Sequence, residues 1–207
     1  MKKLLQNVLC CLVFLILAGC QKKPAALAVP DYPLDTAAIE AELSQVGLNW
    51  SVKQAAEPRD HVATYILYNS EQKIIALVTS AGTKESRGLQ LSFMPSEQAK
   101  QTLMAPLPRE DWENVLRLSA RLYGGFDGEE QLVETSSQFL KESSTPPDPA
   151  ADRAIMPKWE EEINDIHCIL QLRSAPASGQ TDFFTIRIYN NEEFAPVEPE
   201  ASTVPAV

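Results

Sequence analysis

Residues that build metal and redox sites are scarce in this sequence. It has 4 cysteines and 2 histidines in 207 residues. Neither His-x-x-x-His nor Cys-x-x-Cys occurs, and zinc sites usually need such spacings. The glycine patterns that cradle phosphates and the Gly-x-Ser-x-Gly nucleophile motif are also missing. We therefore predict no catalytic residue, no metal ligand and no cofactor.

Basic side chains are few as well. Lysine and arginine number 18 against 28 aspartates and glutamates, which gives a formal net charge of −10. A nucleic-acid surface needs clustered lysine and arginine, so this balance argues against a nucleic-acid partner. Hydrophobic residues make up 44% of the chain. That share is ordinary for a globular protein, and a chain of this length can bury a core without disulfides.

The apolar run near the N-terminus is too short to span a membrane. It covers Val8 to Leu17, ten residues, whereas a spanning helix needs about 20. Lys2 and Lys3 precede the run, and the small residues Ala18 and Gly19 follow it. A basic flank, a short apolar run and small residues in this order are typical of a secretory signal.

The run ends in Leu17-Ala18-Gly19-Cys20, which resembles the lipobox of bacterial lipoproteins. The resemblance implies cleavage before Cys20 and attachment of lipid to its thiol, so membrane lipid is the first expected partner. Several acyl chains, such as palmitate, hold a protein firmly because each buried CH₂ contributes about 0.8 kcal/mol. The location implied is the extracytoplasmic face of the cell membrane.

Composition divides the chain into four parts. Residues 1–19 are the expected signal peptide, and residues 20–34, with several prolines and alanines, are the expected lipidated tether. Residues 35–190 carry the periodic patterns of a single α+β domain. Residues 191–207 are rich in proline, glutamate and alanine without periodicity, so we expect a disordered tail.

The first half of the domain predicts one helix and then an antiparallel meander. Asp35 suits an N-cap, and Ile39, Leu43 and Val46 form one apolar face before Gly47 stops the helix. Alternating and β-branched segments then predict three or four strands. Their ranges are 48–52, 62–69, 73–79 and 89–93.

The second half predicts two to three helices and a C-terminal hairpin. Trp112 to Leu122 has one apolar face, and Asp127 with Glu130 fits a capping box for the next helix. The other segments are a short helix at 96–104, a linker at 143–157, strands at 166–172 and 184–188, and their loop at 174–182. The fold class is α+β with an antiparallel sheet. Whether the hairpin joins the first sheet stays open.

A second resemblance concerns the body of the chain. Trp112, the Leu122-Tyr123-Gly124-Gly125-Phe126 run and the segment from Trp159 to Cys168 are similar to uncharacterised lipoproteins of Gram-positive anaerobes. The similarity spans residues 35–190. It implies no activity.

Cys168 is the one cysteine left in the body, because Cys10 and Cys11 leave with the signal and Cys20 takes lipid. An internal disulfide is therefore impossible, and we expect a buried packing thiol. His167 is its neighbour, but adjacent residues of a strand point to opposite faces. A Cys–His nucleophile pair at these two positions is therefore not expected. The other histidine, His61, could approach Cys168 in space, which sequence cannot show.

Two further patterns have ordinary explanations. Ser70-Glu71-Gln72-Lys73 matches Ser-x-x-Lys, but the companion motifs of penicillin-recognising enzymes are missing and the segment predicts a turn. The acidic cluster of Glu160, Glu161, Glu162 and Asp165 lacks the glycine-bearing loop of an EF-hand. We interpret the cluster as a solvated face.

The leading functional hypothesis is a membrane-anchored binding or protein-interaction module. A free sheet edge or an aromatic-lined groove would hold a peptide, a glycan or an envelope protein. Trp50, Trp112 and Trp159 could line such a groove, although each also lies on a predicted apolar face. One alternative is a cell-envelope hydrolase, for which a pocket with two carboxyl groups of raised pKa would be the sign. Another is a structural envelope protein.

Overall fold

Seven antiparallel strands form a single sheet in the order β1-β2-β3-β4-β7-β6-β5. The computed structural model describes residues 25–93, 107–143, 158–175 and 180–195. The strands are β1 Ser51–Gln54, β2 Val62–Tyr68, β3 Ile74–Gly82, β4 Arg87–Phe93, β5 Lys158–Ile163, β6 Ile166–Ala175 and β7 Gln180–Tyr189. The predicted α+β class with an antiparallel sheet is confirmed.

Three α-helices accompany the sheet in the described part of the chain: α1 Thr36–Gln45, α2 Trp112–Tyr123 and α3 Glu130–Ser143. Helix α1 begins as predicted, since the Asp35 carboxylate accepts a hydrogen bond from the Ala38 amide at 2.7 Å. It ends at Gln45, and Gly47, with a φ of +74°, turns the chain toward β1. The Arg121 guanidinium of α2 forms an ion pair with Glu42 of α1. It forms a second ion pair with Glu129, with 2.9 Å between nitrogen and oxygen.

The C-terminal hairpin belongs to the same sheet as the meander, which the sequence left open. Strands β4 and β7 pair along Gly88–Phe93 and Phe184–Tyr189. The structure adds a strand, β5, that the sequence analysis missed, because exposed glutamates at an edge do not alternate with apolar residues. The predicted loop at 174–182 is too long, since β6 continues to Ala175 and β7 begins at Gln180. The predicted helix at 96–104 and most of the linker at 143–157 lie outside the described residues.

The core covers one face of the sheet. Residues that pair across neighbouring strands on this face are buried: Tyr65, Val78, Leu91, Ile186 and Leu170. The buried faces of the helices join the same hydrophobic cluster. On the opposite face polar and apolar residues are mixed. Thr64, Thr79, Gln90 and Arg187 pair in turn across β2, β3, β4 and β7 and are half-buried. Ile169, the partner of Arg187 in β6, is buried.

The glutamate half of the predicted capping box before α3 is wrong, because Glu130 does not accept the Asp127 amide. The Glu130 carboxylate binds the Arg117 guanidinium at 2.7 Å. The Gln131 side-chain oxygen instead accepts the Asp127 amide at 2.7 Å. Glu130 pairs with Arg117 because helix α2 places this cation beside it. The local sequence around Glu130 does not reveal that contact.

Residues 25–34, which we name the N-terminal strap, pack on the domain. The Leu27 amide donates to the Phe126 carbonyl at 2.8 Å, and the Gly125 amide donates to the Leu27 carbonyl at 2.9 Å. Leu34 is buried. Part of the segment 20–34, which the sequence predicts as a lipidated tether, thus packs on the domain. Isolated apolar residues in a proline- and alanine-rich segment made the packing hard to predict.

The first residues of the predicted disordered tail 191–207 have defined structure. Glu192–Phe194 forms a 3-10 helix, and the Asn191 side chain accepts the Glu193 amide at 3.0 Å. The Phe194 side chain lies against Gly88, where an added Cβ would lie 2.8 Å from the Cβ of Phe194. Residues 191–195 are therefore ordered, and residues 196–207 lie outside the described part. Within the described ranges no helix is long and apolar enough to cross a membrane.

Candidate binding groove at the β1 edge

A cavity of about 420 Å³ opens between the end of α1 and the start of β1. We call it the β1 groove. Its lining residues are Glu40, Leu43, Ser44, Gly47, Leu48, Asn49, Trp50 and Ser51. Helix α1, its C-terminal turn and the first residue of β1 therefore form this site from one continuous segment of the chain.

The turn that ends α1 shapes the floor of the β1 groove. Gly47 adopts a left-handed φ of +74°, which glycine allows without steric cost, and its amide donates to the Ser44 carbonyl at 3.3 Å. The Leu48 amide then donates to the Leu43 carbonyl at 3.1 Å. Both leucines are buried. The chain reversal thus places two leucines beneath the opening.

Trp50 forms a wall of the groove. Its side chain is half-buried, and its ring centroid lies 6.4 Å from that of Phe93 at an angle of 59°. This tilted contact fixes the indole against the end of β4 while part of its surface stays accessible. An aromatic ring fixed in this way offers apolar contact area with little entropy left to lose on binding.

The groove adjoins an unpaired sheet edge. Strand β1 pairs with β2, and within the described residues it has no neighbour on its other side. Val52 is buried, whereas Ser51 and Lys53 are exposed. An edge of this kind presents free backbone N–H and C=O groups, to which an extended peptide can add as a further strand.

The opposite edge of the sheet has a different character. Strand β5 exposes Lys158, Glu160, Glu161 and Glu162. Lys158 and Glu160 form an ion pair at 2.5 Å. Charged side chains on an edge strand are a common protection against pairing with other chains. The β1 edge has a single charged side chain, Lys53, and adjoins a groove that includes Leu43, Leu48 and Trp50, so it is the better candidate for strand addition.

The three tryptophans, which the sequence left open between groove and core, divide between the two roles. Trp112 is 6% exposed and belongs to the core cluster. Trp50 and Trp159 are partly buried against that cluster. Of the three, Trp50 lines the β1 groove.

The predicted features of Cys168 and His167 are confirmed. Cys168 is fully buried, and burial is the main reason why the pKa of its thiol rises to about 12, with the nearby Glu161 adding to the effect. The side chain of His167 lies on the other face of the sheet and stacks on the Tyr189 ring at 5.1 Å. A thiol with so high a pKa is a poor nucleophile. His61, the other histidine considered, is exposed in the turn before β2.

The Ser-x-x-Lys segment lies in the turn between β2 and β3, as predicted. The Asn69 side chain accepts the amides of Glu71 and Lys73 at 3.0 and 2.9 Å. The Lys73 amino group pairs with Glu71 at 2.7 Å. This lysine is therefore engaged with a carboxylate within the turn.

The acidic cluster is solvent-exposed, as interpreted from the sequence. Glu160 pairs with Lys158, and the Glu162 carboxylate lies 3.8 Å from the His167 ring. Across the described ranges, no group of three or more histidines, cysteines, aspartates or glutamates is placed to hold a metal ion.

Two smaller cavities lie elsewhere on the domain. One of about 180 Å³ lies between α2 and α3 and includes Trp112 and Glu113. The other, of about 160 Å³, lies on the helix-free face and includes Arg187 and Phe194. Neither of these cavities, nor the β1 groove, brings two carboxylates together. These three cavities therefore lack the pair of carboxyl groups that the alternative of a cell-envelope hydrolase requires.

A buried arginine was missed by the sequence analysis. Arg87 is 5% exposed, and its guanidinium lies 4.3 Å from the Tyr123 ring and 5.9 Å from the Tyr32 ring. Its Nε donates to the Tyr123 carbonyl at 3.1 Å, and its Nη1 donates to the Lys84 carbonyl. The Tyr32 hydroxyl donates to the Leu122 carbonyl at 3.1 Å. Arg87 thus joins the strap, the end of α2 and the β3–β4 turn.

Burial shifts the titration of the two tyrosines beside Arg87. It raises the pKa of both the Tyr32 and the Tyr123 hydroxyls above the ordinary value of 10.0, although the positive charge of Arg87 opposes the rise. The Tyr123 hydroxyl is buried without a hydrogen-bond partner among the described residues. Nothing in the local sequence signalled this cluster, because its members come from three distant segments of the chain: the strap, the start of β4 with the preceding turn, and the end of α2.

Comparison with protein-family models, with curated proteins and with solved structures finds no match to this chain. The site therefore has to be interpreted from its own geometry.

Proposed function

We propose that this chain is a membrane-anchored, extracytoplasmic binding module that holds an extended peptide segment of a partner protein at the β1 edge. The observation that carries the proposal is the position of the β1 groove, which opens directly beside an unpaired strand. The lipid at Cys20, implied by the lipobox, supplies the anchor.

The occupant that fits this site is an extended segment with alternating side chains. Its backbone would pair with β1, and one apolar side chain would cover Leu43, Leu48 and Trp50. Burying a side chain of this kind contributes about 1.5–3 kcal/mol. Residues i and i+2 of a strand share a face, so specificity is expected to repeat at every second position.

Charge favours a basic segment. Glu40 is the one charged residue among those that line the β1 groove. The whole chain carries a formal net charge of −10. A lysine or arginine next to the apolar anchor would therefore meet a complementary potential, which speeds association and helps to exclude acidic competitors.

An array of synthetic peptides of varied sequence tests this proposal. The purified full-length protein, in detergent micelles, is applied to the array and the retained sequences are compared. We expect enrichment of proline-free peptides in which an apolar residue is followed at alternate positions by lysine or arginine. Retention of acidic or proline-rich peptides alone would overturn the proposed occupant.

Two controls separate strand addition from unspecific adhesion. Trp50→Ala should weaken binding of the enriched peptides at least tenfold, since a lost anchor contact of about 1.4 kcal/mol corresponds to that factor. Trp159→Ala, at the opposite edge, should leave binding unchanged. Peptides that are N-methylated at alternate residues cannot donate to β1 and should fail to bind. If both tryptophan variants and the N-methylated peptides bind as well as the unchanged pair, peptide binding at the β1 groove is contradicted.

The anchor is tested separately. Cys20→Ser removes the thiol that would take lipid, so we expect the protein to move from the membrane fraction into the soluble fraction of fractionated cells. Cys168→Ser is the matched control, because this cysteine is buried in the domain. Continued membrane association of the Cys20→Ser variant would contradict lipid anchoring.

A further inference from the structure

The pairing of β1 with β2 determines which backbone groups of β1 are already used. The Ala55 amide donates to the Thr64 carbonyl at 2.8 Å, and these two residues extend the β1–β2 register by one pair. Hydrogen-bonded and non-hydrogen-bonded pairs alternate along an antiparallel ladder. The residues of β1 that direct their backbone N–H and C=O groups toward β2 are therefore every second one before Ala55, namely Lys53 and Ser51.

The remaining residues of β1, Val52 and Gln54, direct their backbone groups toward the free edge. The pairing of β2 with β3 agrees with this assignment. The Gly82 amide donates to the His61 carbonyl at 2.9 Å, so the odd-numbered residues of β2 bond to β3 and even-numbered ones such as Thr64 bond to β1. A strand added at the free edge would thus form its central hydrogen bonds with Val52.

This pairing assigns the side chains of an added strand to the two faces of the sheet. Residues directly opposite each other on neighbouring strands place their side chains on the same face. A residue opposite Val52 would face the helix side, where Val52 is buried and the β1 groove opens. The residues before and after it would face the helix-free side, opposite Ser51 and Lys53.

The two faces of the added strand would meet charges of opposite sign. Lys53 is exposed on the helix-free side, with its ammonium 5.1 Å from the centroid of the Tyr68 ring. None of the ion pairs among the described residues includes Lys53. Its flexible four-carbon stem allows the ammonium to turn toward a carboxylate on the added strand. Glu40, by contrast, lines the groove on the helix side.

From this alternation we propose that Lys53 is a specificity-determining residue of the β1 edge. The preferred peptide carries acidic side chains at odd distances in sequence from its apolar anchor and basic side chains at even distances. The inference rests on the proposed function and deepens it, because it assigns a charge to each face of the bound segment. Opposite charges across neighbouring strands stabilise a pairing, and like charges destabilise it.

Two heptapeptides of identical composition and with blocked ends provide the test. The first, Thr-Lys-Glu-Leu-Glu-Lys-Thr, would place its glutamates on the face of Lys53 and its lysines, with the leucine anchor, on the face of Glu40. The second, Thr-Glu-Lys-Leu-Lys-Glu-Thr, exchanges the charges between the two faces. Both are symmetric about the leucine, so the comparison holds for parallel and for antiparallel addition.

Affinities are measured by fluorescence anisotropy with the full-length protein in detergent micelles at low ionic strength. We expect the first peptide to bind about three- to tenfold more tightly than the second, because the pair at Lys53 changes from attraction to repulsion. Salt at about 1 M, where the Debye length is about 3 Å, should remove most of the difference. Equal affinities at low salt, or tighter binding of the second peptide, would overturn the inference.

A charge reversal assigns the preference to Lys53. Lys53→Glu should lower the ratio of the two affinities by about threefold or more. Lys84→Glu is the matched control, since Lys84 is exposed in the turn between β3 and β4 and its replacement changes the net charge equally. This control should leave the ratio unchanged. A ratio that changes alike in both variants, or in neither, would overturn the role of Lys53.

Failure of the inference and failure of the proposed function give different results. If both peptides bind equally well to the unchanged protein and both bind weakly to Trp50→Ala, addition at the β1 edge is supported and the role of Lys53 is overturned. If neither peptide binds, although the first carries the complete predicted pattern, strand addition and the role of Lys53 are overturned together.

Discussion

At the scale of single residues, Arg87 connects three separate parts of the chain. It is buried among two aromatic rings and two backbone carbonyls. Arg87→Met preserves much of the side-chain volume but removes the donors that satisfy those carbonyls. We expect a loss of about 3 kcal/mol in the free energy of unfolding, measured by urea titration. Arg187→Met, which removes a hydrogen bond to Gln90 on the helix-free face, should cost about 1 kcal/mol or less. Equal losses in the two variants would show that Arg87 has no special role.

The buried thiol and tyrosines predict how stability depends on pH. The Cys168 pKa rises from 9.0 to about 12 in the folded state, and the pKa values of Tyr32 and Tyr123 are raised as well. Above pH 9 the unfolded chain therefore releases protons that the folded chain keeps. Stability from these groups is fully present below pH 9 and should fall above it, by up to about 1.4 kcal/mol per pH unit for each group. Urea titrations at a series of pH values measure the slope.

A Cys168→Ala variant isolates the thiol contribution. Its stability should fall less steeply between pH 9 and 10 than that of the unchanged chain. In the unfolded chain the thiol, with an ordinary pKa of 9.0, is already more than half ionised across this interval, whereas the tyrosines reach half ionisation only at pH 10. Identical slopes would show that the thiol has the same pKa in both states.

At the scale of elements, the strap depends on a glycine. Gly124 has a φ of +75° and a ψ of 174°, a region that side chains rarely adopt, and an added Cβ would lie 2.5 Å from the Ala28 carbonyl oxygen. Gly124→Ala should destabilise the protein by about 3 kcal/mol and speed hydrogen exchange at the Leu27 amide. Gly47→Ala has a similar φ of +74° but open space around the added Cβ, so it should cost about 1 kcal/mol. Unchanged exchange at Leu27 in the Gly124→Ala variant would contradict the packed strap.

The 3-10 helix that follows β7 is a second element with a measurable role. The Phe194 ring covers Gly88 and Gly82 on the helix-free face. Because Phe194 is half-exposed, Phe194→Ala should cost about 1–2 kcal/mol, less than a fully buried phenylalanine. Deleting residues 196–207 should leave the melting temperature nearly unchanged. A larger loss from the deletion than from Phe194→Ala would mean that the C-terminal residues pack on the domain.

The elements also show what the sequence could and could not predict. Helix α1 and the strands of the meander were predictable because Ile39, Leu43 and the alternating residues Leu89, Leu91 and Phe93 report local burial with a clear period. Strand β5 was not, because its glutamates are exposed at an edge where no periodic burial is imposed. The packing of the strap could not be predicted for a related reason. Leu27 is held by hydrogen bonds to Gly125 and Phe126, which lie about a hundred residues away in the sequence.

The sequence could predict the type of candidate site but not its position in the fold. Trp50 and a free sheet edge were both considered from the sequence. Their placement side by side follows from the turn at Gly47 and from the absence of a further strand beside β1 in the described residues, which are tertiary facts. The resemblance of Leu17 to Cys20 to a lipobox is the opposite case, since it rests on four consecutive residues and needs no tertiary contact.

At the scale of the whole molecule, the proposed anchor and the strap lie at one end of the sheet and the β1 groove lies at the other. Arg87 at the start of β4 lies beside Tyr32 of the strap, and Trp50 of the groove lies beside Phe93 at the end of β4. The negative charge of the chain favours basic partners and disfavours anionic surfaces. The proposed function thus combines an anchor at one end of the sheet with a peptide-sized site at the other.

Photo-cross-linking in living cells shows whether the β1 edge holds a peptide in its natural setting. A photoreactive amino acid is placed at Ser51 in the lipidated protein, and in a matched strain at Lys158 on the opposite edge. We predict a discrete adduct from position 51 alone, and mass spectrometry should map it to an extended, basic and alternately apolar segment of an extracytoplasmic protein. The same adducts from both positions, or none from position 51, would contradict a binding module that works through the β1 edge.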